Sequence, residues 1–127
     1  MLPRGRRALG LTHVRATIAN PGRLDKRARL RFLVDSGAIY SVAPATVLRR
    51  LGIEPHTTQR FELADGTEVR RAVGDATFIV AGKRGASPVI FGEEDDSVLL
   101  GTVSLEALGF MLDPPKRVLK PLPMVLG

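Results

Sequence analysis

Phe32-Leu33-Val34-Asp35-Ser36-Gly37-Ala38 sets three apolar residues directly before an acid and three small residues directly after it. A continuous apolar run marks a strand end that becomes buried on both sides. Asp35 therefore waits at the end of a buried strand. Small neighbours at 36–38 let backbone approach the carboxylate, and the N–H groups of a Gly turn can hold it as an anion while it stays reachable from outside. The plain alternative is an Asp that opens an ordinary turn, and the tripeptide alone does not separate the two.

Working outward, residues 11–18 alternate apolar and polar, Asn20-Pro21-Gly22 supplies turn chemistry, and residues 28–34 follow as a second strand. The hairpin's second strand delivers Asp35. Downstream, residues 45–51 have helical spacing, with Pro44 suited to a first turn and Gly52 to a stop. Residues 60–63 and 67–73 predict two strands joined at Ala64-Asp65-Gly66, where Asp-Gly signals a primed turn. Residues 75–81 and 87–91 predict two more around a turn at Gly82-Lys83-Arg84-Gly85. Glu93-Glu94-Asp95-Asp96 reads as a charged loop, residues 97–100 as a buried strand ending at Gly101, and residues 103–108 as a helix closed by Gly109. A last strand at 110–112 precedes Asp113-Pro114-Pro115, with an edge at 118–122. The expected sheet is antiparallel and meandering, and no internal repeat is present.

The 127 residues suit one domain, read as a basic tail over residues 1–8 followed by a single domain over 9–127. At 44% hydrophobic and 25% charged residues, the chain can build a core without disulfides or metal. The absence of cysteine excludes disulfide scaffolds, Cys-based zinc sites and thiol chemistry. No apolar run reaches the length of a membrane span, so the sequence reads as a soluble cytoplasmic protein with no membrane partner. The net charge of +6 is local: nine Lys/Arg face one acid through Arg31, while ten basic and twelve acidic residues follow. With five Phe, one Tyr and no Trp, stacking surfaces for bases are scarce. Nucleic acid is therefore not the expected partner, and a basic-arm binder stands only as an alternative.

Three stretches in order are similar to the retropepsin-like aspartic proteases, the single-domain relatives of pepsin. Leu33-Val34-Asp35-Ser36-Gly37-Ala38 resembles the family's active-site turn. Leu63-Ala64-Asp65-Gly66-Thr67 falls where the family has its flap tip, and Leu99-Leu100-Gly101 resembles the apolar-apolar-Gly element that threads beside the active-site turn. The resemblance implies an all-β half-barrel with a flap hairpin and one or two short helices, acting as a homodimer on a peptide or protein substrate. It implies catalytic roles for Asp35, Ser36 and Gly37. Substrate contacts are implied for Leu33, Ala38, Ile39, Leu63, Ala64, Asp65, Gly66 and Leu99, with no metal and no cofactor. Only one Asp-Ser/Thr-Gly is present, so a two-Asp mechanism demands two chains.

Viral members usually add an Asp after the Gly-Ala and an Arg after the later Gly. Here those places hold Ile39 or Tyr40, and Thr102, which suggests apolar packing in place of the ion pair. The acidic loop 93–96 is expected to border the cleft as a negative rim. Ser36 or Ser41 with His13 or His56 lacks a nucleophile elbow, and the two His lack zinc-ligand spacing. A silent peptide-binding or dimerisation module of the same fold is the other alternative.

Overall fold

The computed structural model describes residues 12–113 and 115–126; the expected tail at 1–8 and the first residues of the domain lie outside them. β1 (Thr12–Asn20) and β2 (Arg23–Val34) form the expected hairpin, paired from Thr12↔Val34 to Asn20↔Arg23. Its turn is pinned twice through Asn20, whose Oδ1 accepts the Gly22 N–H at 2.8 Å and whose Nδ2 donates to the Leu51 carbonyl at 2.9 Å. Alternation puts Ala16, Ile18, Phe32 and Val34 in the core. Arg15, Arg29 and Arg31, of the opposite parity, face outward.

After the Asp35 loop comes β3 (Ser41–Pro44), then α1 (Ala45–Arg50). β4 (Thr57–Glu62) and β5 (Glu68–Val80) form a long hairpin, and β6 (Lys83–Gly92) follows. β7 (Leu99–Leu100), α2 (Thr102–Leu108), β8 (Phe110–Asp113) and β9 (Val118–Pro121) complete the chain. Seven strands run in the order β1-β2-β7-β3-β6-β5-β4, and β1 pairs also with β5, so the sheet rolls onto itself; β8 and β9 pair separately. Phe32 and Phe78 meet edge to face at 5.9 Å in its centre.

The structure corrects five expectations. The sheet is mixed: β2 runs parallel to β7 and β3 parallel to β6. The short β3 went unpredicted because four residues carry too little periodicity. β5 is one strand of 13 residues where two were expected, since Gly74 is a packing glycine and not a break; a Cβ there would lie 3.0 Å from the Glu54 carbonyl and the Phe91 ring. Likewise Gly85 lies within β6, where a side chain would strike the Ala107 backbone of α2. The β5–β6 turn is Ala81-Gly82, with φ of 51° and 79°, a two-residue primed turn. The β4–β5 turn is not primed. Gly66 donates to the Leu63 carbonyl at 2.9 Å and has φ 86°, which is the three-residue loop closed by a left-handed glycine. Among the described residues no helix is long and apolar enough to cross a membrane.

Candidate active site

β2 ends by pairing in parallel with β7, Leu33 with Leu99 and Val34 with Leu100. β7 in turn meets Val42 of β3, so the two residues before Gly101 thread between the strands on either side of Asp35. The Asp35 N–H donates to the Leu100 carbonyl at 3.1 Å, and the Thr102 and Val103 N–H groups donate to the carbonyls of Ala38 and Ile39 at 2.9 and 3.1 Å. The passage is tight. A Cβ on Gly101 would lie 2.7 Å from the Ile39 oxygen and the Tyr40 carbonyl group.

Within the turn, the Gly37 N–H donates to Asp35 Oδ1 at 2.8 Å, and Ala38 N–H to the Asp35 carbonyl at 3.1 Å. Asp35 is 8% exposed. Three buried hydroxyls brace the loop from beneath: Gly101 N–H donates to Ser41 Oγ at 2.9 Å, Ser41 Oγ meets Ser104 Oγ at 2.5 Å, and Ser104 Oγ meets Ser87 Oγ at 2.6 Å. Ser87 can donate its own proton to the Pro88 carbonyl at 3.4 Å, so every hydroxyl in the row finds an acceptor. That use removes Ser41 from any nucleophile reading. His13 is exposed, and His56 pairs at the surface with Asp75 at 3.4 Å.

Asp35 opens into a cleft of about 830 Å³. One wall comes from the active-site turn and its neighbours: Gly37, Ala38, Ile39, Tyr40, Val42, Ile90 and Leu99. The other comes from the β4–β5 hairpin through Phe61, Leu63, Ala64, Val69 and Arg71. Thus Asp35, Gly37, Ala38, Ile39, Leu63, Ala64 and Leu99 gather around one cavity. Ser36 sits exposed beside it, while Leu33, Asp65 and Gly66 are not in its walls. Asp65 instead shapes the hairpin tip by accepting the Thr67 N–H at 2.9 Å; the Thr67 side chain first, and this backbone bond second, hold its carboxyl below the ordinary range. Nor does Ile39 pack away as apolar filler, since it is 68% exposed at the cleft rim.

Sequence reasoning missed Arg71, though its parity with Phe61 and Val69, directly opposite each other, is the signal that places it inward. Arg71 is forked onto Asp96, Nε to Oδ2 at 2.7 Å and Nη2 to Oδ1 at 3.1 Å, with Glu93 at 3.6 Å. The guanidinium beside Asp96 pulls that carboxyl below its ordinary value of 3.8, against a burial penalty that works the other way. Asp96 also accepts the Glu93 N–H at 2.7 Å. Of the acidic loop, Asp96 lines the cleft and is spent with Glu93 on Arg71, while Glu94 and Asp95 are exposed and not in the cleft walls.

Comparison with known proteins agrees with this geometry. A family model described as aspartyl protease matches residues 14–103. No curated protein matches the chain significantly. The fold is similar to the solution structure of the simian foamy virus (mac) protease, at TM-score 0.53 and 24% identity, covering 75% of this chain and 92% of that one. It is also similar to the crystal structure of a retropepsin-like aspartic protease from Rickettsia conorii, at TM-score 0.51 and 22% identity, covering 80% and 75%. At these identities the two structures speak for the fold.

Proposed function

The chain belongs to the aspartyl protease family and is an aspartic endopeptidase of retropepsin-like fold, and from that premise we propose that it works as a homodimer whose single active site is built from two Asp35 side chains. The observation that carries this reading is the half-site itself: one buried acid at the rim of a cleft, in a chain with a single Asp-Ser/Thr-Gly. Ser36, Gly37 and Ile39 are exposed around that acid. A second copy related by a two-fold axis would cover them and bring the acids together.

Two carboxylates within a few ångströms cannot both ionise readily, so the dyad holds one proton between them. The ionised member takes a proton from water as it attacks the scissile carbonyl, and the protonated member donates to the carbonyl oxygen. The Gly37 N–H keeps each acid oriented. Ser36 reaches toward its partner copy and fixes the two turns. The β4–β5 hairpin acts as a flap, its inward Phe61, Leu63 and Val69 covering apolar side chains next to the scissile bond while its backbone pairs with an extended peptide. The test is a peptide-library digest across acidic to neutral pH with wild type and Asp35→Asn, beside sedimentation of both. Cleavage by the wild-type dimer and none by the variant is expected; cleavage by a strictly monomeric species would sink the dyad.

A further inference from the structure

The outward face of the β1–β2 hairpin concentrates arginine by register as well as by composition. Arg15 lies directly opposite Arg31, and Arg29, two residues along, lies opposite Thr17. The same row continues through Ile79 to Arg84. All four arginines are exposed, and among the described residues none of them has an ion pair. Asp25, the acid of this strand, is taken by Arg23 at 3.0 Å, and Arg27 turns back onto the Leu24 carbonyl at 2.8 Å. Like charges set directly opposite across two strands cost stability. Folding gains nothing from Arg15 facing Arg31.

The same strand has a free edge. β1 covers one side of β2 along its length, but on the other side only Leu33 and Val34 meet a strand. Among the described residues, 23–32 show that edge to no strand. An open row of N–H and C=O groups, flanked by the unpaired guanidiniums of Arg29 and Arg31 two residues apart, matches an extended polypeptide with acids at alternate positions. Added as a strand, it would place its acids on the Arg29 and Arg31 face and its other side chains toward half-buried Ala28 and Leu30. A nucleic acid could satisfy the charges but not the ladder of backbone groups.

We propose that the free edge of β2 is a docking strand for an acidic, extended segment of the protein substrate, bound outside the cleft. The inference rests on the proteolytic reading of Asp35. Since β2 runs straight into that residue four positions beyond Arg31, the docked segment begins roughly 13 Å from the carboxylate at about 3.3 Å per residue. A chain leaving the cleft can reach it.

The test measures anisotropy of labelled peptides on the uncleaving Asp35→Asn protein, at low and high salt. The probes are an alternating Glu-Thr peptide, the same peptide with two Thr changed to Pro, an alternating Lys-Thr peptide, and a single-stranded oligodeoxynucleotide of equal charge. The Glu-Thr peptide binds, and it weakens about tenfold with Pro, with Arg29→Glu/Arg31→Glu, and with high salt. Thermal melts of the double variant confirm folding, since Arg31→Glu replaces the like-charge pair with Arg15 by an attractive one. Equal binding of the Pro-containing peptide or of the oligonucleotide would reduce the edge to a charged patch, and unchanged affinity in the double variant would overturn the site. In the active enzyme, appending the Glu-Thr segment to a cleavable peptide raises kcat/KM in wild type but not in the double variant; no advantage in wild type contradicts the proposal. Absence of all cleavage alongside intact peptide binding would refute the proteolytic reading and leave the docking strand standing.

Discussion

Gly101 carries no side chain because the active-site turn leaves no room for one: the Ile39 and Tyr40 backbone lies 2.7 Å from where its Cβ would be. Gly101→Ala is expected to cost about 1–3 kcal/mol as strands separate, and to lower kcat because the displaced backbone is the turn that holds Asp35. Chemical denaturation and kinetics on the same preparation check both. Asp35→Asn should behave in the opposite way, since its amide oxygen can still accept the Gly37 N–H. We expect the fold to be retained and peptide cleavage to be lost; turnover within tenfold of wild type would place the chemistry elsewhere. At this scale the sequence was partly legible. Asp35 stood out because its context is local, three apolar residues before and three small ones after. Gly74 and Gly85 misled because a glycine that makes room for a distant neighbour looks, in one dimension, like a glycine that makes a turn. Arg71 was hidden because its partner Asp96 lies 25 residues away, a distance that only the folded hairpin closes.

Elements are held in register by two polar devices on different sides of the cleft. The hydroxyl row Ser41, Ser104 and Ser87 ties β3, α2 and β6 beneath the Asp35 turn. Ser104→Ala leaves the buried Ser41 hydroxyl proton without its acceptor, while Ser87 keeps the Pro88 carbonyl, and should cost about 1–3 kcal/mol with a loss of kcat that Ser104→Thr restores in part. The Arg71–Asp96 fork ties the β4–β5 hairpin to the loop before β7, with side chains 13% and 22% exposed. Its carboxyl titrates lower in the folded chain than its ordinary value of 3.8, so the stabilisation is fully present above that value and is lost as pH falls through the lowered one. Asp96→Asn should therefore be less stable than wild type at neutral pH by about 1–3 kcal/mol, with the gap closing as pH falls below 3.8 and through the lowered value. Urea midpoints measured from neutral into acid pH decide it. Most elements were readable from period and turn chemistry. The parallel pairings of β2 with β7 and β3 with β6 were not, because nothing in a two-residue strand such as Leu99–Leu100 records which way its neighbour runs.

At the scale of the whole molecule, the proposed mechanism makes this chain one half of a catalytic apparatus. The chain carries one buried acid at a cleft walled by the β4–β5 hairpin, and it leaves Ile39 68% exposed beside that acid. The family and fold were legible because three short stretches fell in the right order; the second acid that the proposed dyad needs is asked for by chemistry alone. Mixing chains measures it most directly. Wild-type and Asp35→Asn protein are combined in equal amounts, exchanged to equilibrium at a total concentration that keeps dimers formed, and assayed on one peptide. If each active site needs Asp35 from both copies, only wild-type pairs cleave, and random pairing leaves about a quarter of the activity of the same total of wild-type protein. Activity at about half, in proportion to the wild-type chains alone, would show that a single Asp35 suffices and would contradict the dyad.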